Sequence, residues 1–311
     1  MSTVSQNVTD YPNKNTIFMV WQLKEGTPYQ EAFQNLCTLV INLNNSTSTR
    51  FPNGNVSCVL GIGAEAWQKL QLPTPLPKEL KPFEEIKGNP YTAVATPGDL
   101  HLHLRADSTS LCFDMAMEIT KLLTPVAECI VDVQGFRYWD GRSILGFVDG
   151  TENPKGEDRD FFAKVGAEDP EYQGGSYLFV QKYLHNMLAW DSLSIEEQEK
   201  VIGRSKQNDI EMSDEVKPTN SHIALTNIEG DNGEELKVIR DNMPFGNPAK
   251  GEVGTYFIAY ANTFSTVQKM LEHMFIGDPV GNYDRILDFS TAQTGTLFFV
   301  PTLDMLEDFA E

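Results

Sequence analysis

The sequence predicts an α+β protein built as a duplicated ferredoxin-like fold: two antiparallel sheets with helices packed on them. Three observations lead there. Short β-rich or strictly alternating runs are interleaved with runs that space their apolar residues at helical intervals. In the first half these runs follow the order strand, helix, strand, strand, helix, strand, which is that of one ferredoxin-like unit. The same order returns in the second half, although no strong identity links the two. The division expected is an N-terminal half over 1–148 and a C-terminal half over 149–311.

Residues 16–24 are β-rich and bounded by polar turns, and 29–43 place Phe33, Leu36, Leu39, Val40 and Leu43 on one helical face. A second strand follows over 56–62 and a short helix over 64–70. Between 72 and 97, prolines stand at 73, 75, 77, 82, 90 and 97. Proline neither donates to a strand ladder nor continues a helix, so this stretch should be an ordered but irregular connection. The run Leu100-His101-Leu102-His103-Leu104-Arg105 alternates strictly, which puts the leucines on a buried face and both histidines on the other. His101 and His103 resemble a metal pair only superficially, because no third ligand is near them; a solvated or sheet-covered face accounts for them. Residues 108–123 form an amphipathic helix with Ser108 or Thr109 as N-cap and Pro125 just past its end, and 129–138 form a strand.

In the second half, 177–184 is a strand. Residues 194–204 are a helix capped by Ser194, with Glu196 and Glu197 in its first turn. Strand 253–261, helix 264–275 and strand 295–301 complete the unit.

A chain of 311 residues with 41% apolar and 10% aromatic content can bury two ordinary cores, which excludes a largely disordered protein. Its formal charge of −20 argues against nucleic acid or an anionic membrane as partner, since phosphate binding needs clustered Lys and Arg. Residues 1–10 show no basic or apolar leader segment, and no window approaches 18 consecutive apolar residues. Cys37, Cys58, Cys112 and Cys129 form no CxxC pair and no dense disulfide spacing. A cytoplasmic protein with reduced thiols and no membrane span is expected.

The chemistry centres on Gly146-Phe147-Val148-Asp149-Gly150-Thr151, which sets one carboxylate between two glycines in an apolar setting. Glycine on both sides permits positive φ and close approach of another backbone or a flat ligand. An isolated Asp-Gly would be read as a turn. The whole string, however, resembles the signature of the dye-decolourising peroxidases, haem enzymes that reduce hydrogen peroxide and oxidise dyes, phenols and other small donors. Two further segments resemble that family in order and approximate spacing: Ser221-His222-Ile223-Ala224-Leu225-Thr226-Asn227 and Ile239-Arg240-Asp241-Asn242-Met243-Pro244-Phe245-Gly246. The resemblance runs on to Asp284 and implies the same duplicated fold.

What it implies for the site is specific. His222 would be the axial ligand of the iron of haem b, with Asp284 accepting a hydrogen bond from its other ring nitrogen; the nearby Asp288 competes for that role. Asp149, Arg240 and Asn242 would lie on the opposite face of the haem. Asp149 would serve first as base and then as acid, and Arg240 would stabilise developing negative charge, leading to a ferryl intermediate. A surface salt bridge to Asp241 or Glu235 is the other reading of Arg240. Arg204 resembles a family position that pairs with a haem propionate, though a cation at a helix C-terminus explains it as well. His185 and His273 are expected to be structural or surface residues, and Tyr138, Trp139, Trp190, Tyr256 and Tyr260 are candidate electron relays that are more ordinarily core. The expected function is a peroxidase acting on hydrogen peroxide and small-molecule electron donors, in a homo-oligomer. Iron release from haem or porphyrin modification, and a non-enzymatic haem carrier or sensor, are the alternatives. The ending Leu303 to Glu311 does not suggest a tail that would dock the protein in a nanocompartment.

Overall fold

The computed structural model describes residues 4–230 and 232–311; the first three residues of the N-terminal stretch lie outside them. The first half is β1 (Asn15–Leu23), α1 (Tyr29–Arg50), β2 (Ser57–Gly63), β3 (Leu100–Ala106), α2 (Thr109–Leu123) and β4 (Ala127–Phe136). Its sheet runs β2-β3-β1-β4, antiparallel throughout. The second half supplies β5 (Ser176–His185), α3 (Ile195–Ile202), α4 (His222–Thr226), β6 (Ile239–Arg240), β7 (Met243–Asn247), β8 (Glu252–Ala261), α5 (Phe264–Phe275) and β9 (Thr296–Val300). Its order is β6-β8-β5-β9, with β7 also on β8. If β6 and β7 are taken as one interrupted strand, each half follows the spatial order second, third, first, fourth. The duplication is therefore visible in the topology.

The two sheets meet edge to edge where Phe298 and Phe299 of β9 pair with Gly63 and Ile62 of β2. They also face one another. Phe18 of β1 stacks on Tyr256 of β8 with ring centroids 4.1 Å apart, within an inner core that includes Val20, Val59, Leu178, Val180 and Phe298. The outer faces carry the helices: Ile17, Met19 and Trp21 share a core with Phe33, Leu36 and Val40 of α1. Neighbouring residues of β1 thus belong to different cores, as the pleat requires.

The strand over 100–106 has the predicted parity, and its second face is covered by the other sheet. His101, His103 and Arg105 are fully buried there. His101 Nε2 pairs with Tyr256 Oη at 3.2 Å and His103 Nδ1 with Tyr260 Oη at 2.8 Å.

Elsewhere the boundaries shift for local reasons. Helix α1 continues past residue 43 to Arg50, and in this polar end the Thr47, Ser48 and Thr49 hydroxyls bond carbonyls one turn back at 2.6, 2.9 and 3.0 Å. Asn44 also ties it to both the N–H and C=O of Cys58. Within 72–97 the only ladder among the described residues is the pair Ile86–Lys87 and Thr92–Ala93. A C-terminal helix, Leu303–Phe309, was not anticipated; Thr302 caps it, and Phe309 packs edge-on to Trp67. No helix of the described residues is long and apolar enough to cross a membrane.

Candidate active site

The segment around Asp149 folds back on itself. Arg142 and Val148 form an isolated bridge, and Asp149 N–H donates to Gly141 O at 3.0 Å. Gly146 (φ +93°) and Gly150 (φ +81°) are both left-handed, a conformation that needs no strain only in glycine. At Gly146 a Cβ would also stand 2.6 Å from Lys206 Cε. The Arg142 guanidinium clamps the loop by donating to the carbonyls of Gly146 and Lys206 at 3.0 and 2.6 Å. Thr151 Oγ1 donates to Asp209 Oδ2 at 2.7 Å. Phe147 anchors the loop edge-on against Trp190.

Asp149 is held from the other side by Asn242, whose Nδ2 lies 3.3 and 3.2 Å from its two carboxylate oxygens. Asn242 Oδ1 accepts from Ile258 N–H at 3.1 Å, so the amide has one orientation that satisfies both ends. Arg240 is fixed through its backbone, which exchanges two hydrogen bonds with the Asn153 side chain at 3.0 and 2.7 Å. Its guanidinium makes no ion pair among the described residues. The two carboxylates that could have formed a surface bridge with it are engaged elsewhere, Asp241 with Arg105 at 2.9 Å and Glu235 with Lys237 at 3.0 Å.

His222 is the first residue of α4. Ser221 caps that helix by accepting from Ala224 N–H, and Gly203, just past α3, packs so close that a Cβ would meet Ser221 Oγ at 2.7 Å. His222 Nδ1 lies 2.6 Å from Asp284 Oδ2. Asp284 is fully buried, and its Oδ1 accepts from Ile286 N–H at 2.9 Å. Asp288 is occupied by the hydroxyls of Tyr91 and Tyr283 at 2.9 and 3.1 Å. The geometry thus pairs His222 with Asp284 and leaves Nε2 without a partner among the described residues.

Asp149, Arg240, Asn242, Arg204 and His222 all line one cavity with about 1450 Å³ of empty space, mouth included. Apolar side chains such as Phe147, Ile223, Phe257 and Leu271 form much of its wall. His185 lines it as well, at the end of β5, but both its nitrogens are taken, by Ser290 and Thr255 hydroxyls at 2.8 Å each. Burial lowers its pKa to about 4, so it is a neutral wall residue. Of the two histidines in the cavity, His222 alone has a free ring nitrogen. An imidazole oriented by a carboxylate, in an apolar cavity with a cation at hand, is a donor set that fits haem.

Arg204 stands after the left-handed Gly203 that ends α3, so it is outside the helix it was expected to terminate. It donates to Asp209 O at 2.7 Å and pairs with Glu152, while Asp209 Oδ1 and Glu211 Oε2 lie at 3.5 and 3.8 Å. A propionate would have to share this cation with carboxylates already there. Glu152, Asn153, Ser221 and His185 were missed as supporting residues. Only Ser221 had a local signal, a capping serine directly before the helix.

Residues 6–137 match the family described as Dyp-type peroxidase, N-terminal, and residues 140–305 match Dyp-type peroxidase, C-terminal. The chain belongs to the Dyp-type peroxidase family. A dye-decolorizing peroxidase of Rhodococcus erythropolis is 50% identical over 94% of this chain and 85% of its own length. The crystal structure of a dye-decolorizing peroxidase from Bacteroides thetaiotaomicron superimposes with a TM-score of 0.96 at 50% identity, covering 100% of this chain and 99% of that one. A DypB variant of Rhodococcus jostii RHA1 in complex with heme gives 0.92 at 43% identity, covering 98% and 99%. This Dyp-type chain is a haem-dependent peroxidase, with peroxide and electron donors as its substrates. Iron release and a non-enzymatic carrier are not favoured by these relationships.

Proposed function

We propose that His222 Nε2 binds the haem iron and that Asp284 holds the ring with Nδ1 protonated, raising the basicity of the ligating nitrogen. Arg204 is the cation for a propionate, shared with Glu152. Haem, when bound, supplies the redox centre that peroxide oxidises and donors reduce. Asp149 takes the proton from one peroxide oxygen and returns it to the other, which needs a carboxylate that can exchange a proton without leaving its place. Asn242 holds that carboxylate while its own Oδ1 is fixed on Ile258 N–H. Arg240, which no protein carboxylate neutralises among the described residues, presents a full positive charge to the negative charge that develops as the O–O bond opens.

The observation that carries this reading is the single free imidazole nitrogen in the cavity, backed by a buried carboxylate at 2.6 Å. Its test is chemical rescue. His222→Ala should fold but hold little haem, and added imidazole should restore haem binding with nitrogen ligation. Haem bound as in the unmodified protein, with the same nitrogen ligation and no imidazole, would refute the assignment.

We also propose that the protein works in the cytoplasm as a homo-oligomer without nucleic-acid or membrane partners. Four unpaired cysteines, with burial pushing the Cys37, Cys58 and Cys112 thiols up to about 12, suit a reducing compartment. Large exposed apolar side chains, among them Trp139, Leu188 and Val280, suit burial against another subunit. The formal charge of −20 disfavours anionic polymers.

A further inference from the structure

Between the two sheets, where no mechanism step has yet used them, lie two phenol–imidazole pairs: Tyr256 with His101, and Tyr260 with His103. All four residues are fully buried. Pairs of this kind carry a chemical capacity that either partner alone lacks. A phenol loses an electron readily only if its proton can leave at the same time, and a hydrogen-bonded neutral imidazole can take it. Burial drives His103 well below its ordinary value, with Arg105 and His101 adding to the effect, so the ring is neutral, and its Nδ1, 2.8 Å from the Tyr260 hydroxyl, is placed to take the proton.

The Tyr260 pair is the better placed. Its bond is the shorter, 2.8 Å against 3.2 Å, and the Tyr260 hydroxyl has no other partner among the described residues. The far nitrogen of His103, Nε2, makes no hydrogen bond but lies 3.7 Å from Asp241 Oδ2, while Asp241 Oδ1 is itself unpartnered. A merely structural cluster gains nothing from such orphaned atoms, each of which costs desolvation. They become useful once His103 carries a charge, because Asp241 is then its counter-ion. Tyr260 is also close to the cavity wall in the chain's own terms: it pairs with Ile239, next to Arg240, and sits on β8 with the cavity-lining Thr255 and Phe257.

We propose that Tyr260, with His103 as its proton acceptor, is an internal site that holds an oxidising equivalent after peroxide has reacted and before a donor arrives. The step balances. The Tyr260 O–H bond breaks, its proton forms a bond to His103 Nδ1, and one electron passes to the peroxide-oxidised haem centre, leaving a neutral phenoxyl radical beside an imidazolium. A donor electron then reduces the phenoxyl radical as the proton returns from His103 to its oxygen, restoring the phenol and the neutral imidazole. The inference rests on the peroxidase activity but goes beyond it, since the site is separated from the cavity by the sheet.

The test is electron paramagnetic resonance on the haem-loaded protein, frozen after one equivalent of hydrogen peroxide without donor, with peroxide consumption followed in parallel. We expect an organic radical whose hyperfine pattern narrows with ring-deuterated tyrosine, is lost in Tyr260→Phe and persists in Tyr256→Phe, while all three proteins consume the peroxide. In the unmodified protein, a lowered g value and a coupling to one solvent-exchangeable proton should mark the hydrogen bond to His103; this holds even if the variant folds poorly. A tyrosyl signal unchanged in Tyr260→Phe, or none in a protein that has consumed its peroxide, would overturn the proposal. Peroxide left unconsumed by the haem-loaded wild type would instead sink the peroxidase reading and this proposal with it.

Discussion

The cavity and the interior between the sheets are built in part from the same two segments, 240–242 and 255–257, whose alternate residues face opposite ways. Arg240 and Asn242 face the cavity, whereas Asp241 between them turns inward to Arg105. Thr255 and Phe257 line the cavity, whereas Tyr256 between them stacks on Phe18 and bonds His101. The difference lies in what is left unsatisfied. On the cavity side the Arg240 guanidinium and His222 Nε2 have no protein partner among the described residues, which is what a ligand site requires. On the inner side the arginine is matched, Arg105 donating to Ser57, Asp241 and the carbonyl of Asn7, and what stays unpartnered is single atoms of the polar cluster itself, among them His103 Nε2 and Asp241 Oδ1. One segment thus displays its charge to a ligand while being anchored by a neighbour whose charge is buried.

Breaking the anchor is the largest way to disturb this comparison. Asp241→Ala leaves the buried Arg105 with only the half-exposed Asp10 carboxylate, at 3.7 Å, a loss of up to roughly 3–5 kcal/mol in unfolding free energy. Replacing both partners together, Arg105→Met with Asp241→Leu, should recover most of it. Urea titration of the three proteins decides, and a double variant no better than the single one would mean that the pair does more than match charge.

On the cavity side, Asp284→Asn keeps the shape but weakens the hold on Nδ1–H, so haem affinity should fall roughly 10- to 100-fold. Competitive haem transfer measures it. Unchanged affinity would show that Asp284 only completes the turn at Ile286.

The smallest effect concerns acid. His101, lowered to about 3 by burial, and His103 and His185, lowered for the same first reason, stay neutral when folded. Unfolded, each takes a proton below about 6.5. The unfolded state then binds more protons, so the contribution is complete above about pH 6.5 and is lost as pH falls toward the folded values. Each histidine adds a slope of up to about 1.4 kcal/mol per pH unit. The stability difference between wild type and His101→Gln, followed by urea midpoints from pH 7 to pH 5, should drift in favour of the variant. A constant difference would show that His101 is not a buried neutral group.

The parts legible in the sequence were those with a local period. Leu100 to Arg105 alternates, and the division of its residues between two faces was legible, while the burial of the histidine face was left open; the helix Phe264–Phe275 was read to the residue. What escaped was carried by long-range contacts. No local pattern announces that Arg105 meets Asp241 or that Asn153 grips the backbone of Arg240; that Asp284 rather than Asp288 reaches His222 was expected from the family resemblance alone. The polar end of α1 has no apolar stripe and is held by hydroxyl back-bonding, and α4 is too short to show a period. The roles proposed for Asp149, Arg240 and Asn242 came from the motif, and the geometry adds the bond between Asn242 and Asp149 and the free guanidinium of Arg240.

The account turns on a division of labour between Asp149 and Arg240. The direct measurement is stopped-flow reaction of the haem-loaded protein with hydrogen peroxide across pH, for wild type, Asp149→Asn and Arg240→Leu. Both variants should be slow, by on the order of 10²- to 10⁴-fold without the base and on the order of 10²- to 10³-fold without the cation. Only Asp149→Asn should lose the decline in rate toward acid, because only there is the proton-accepting carboxylate gone. If Asp149→Asn reacts at the wild-type rate with its acid decline intact while Arg240→Leu is inert, the base is not Asp149, and the activation step belongs to Arg240.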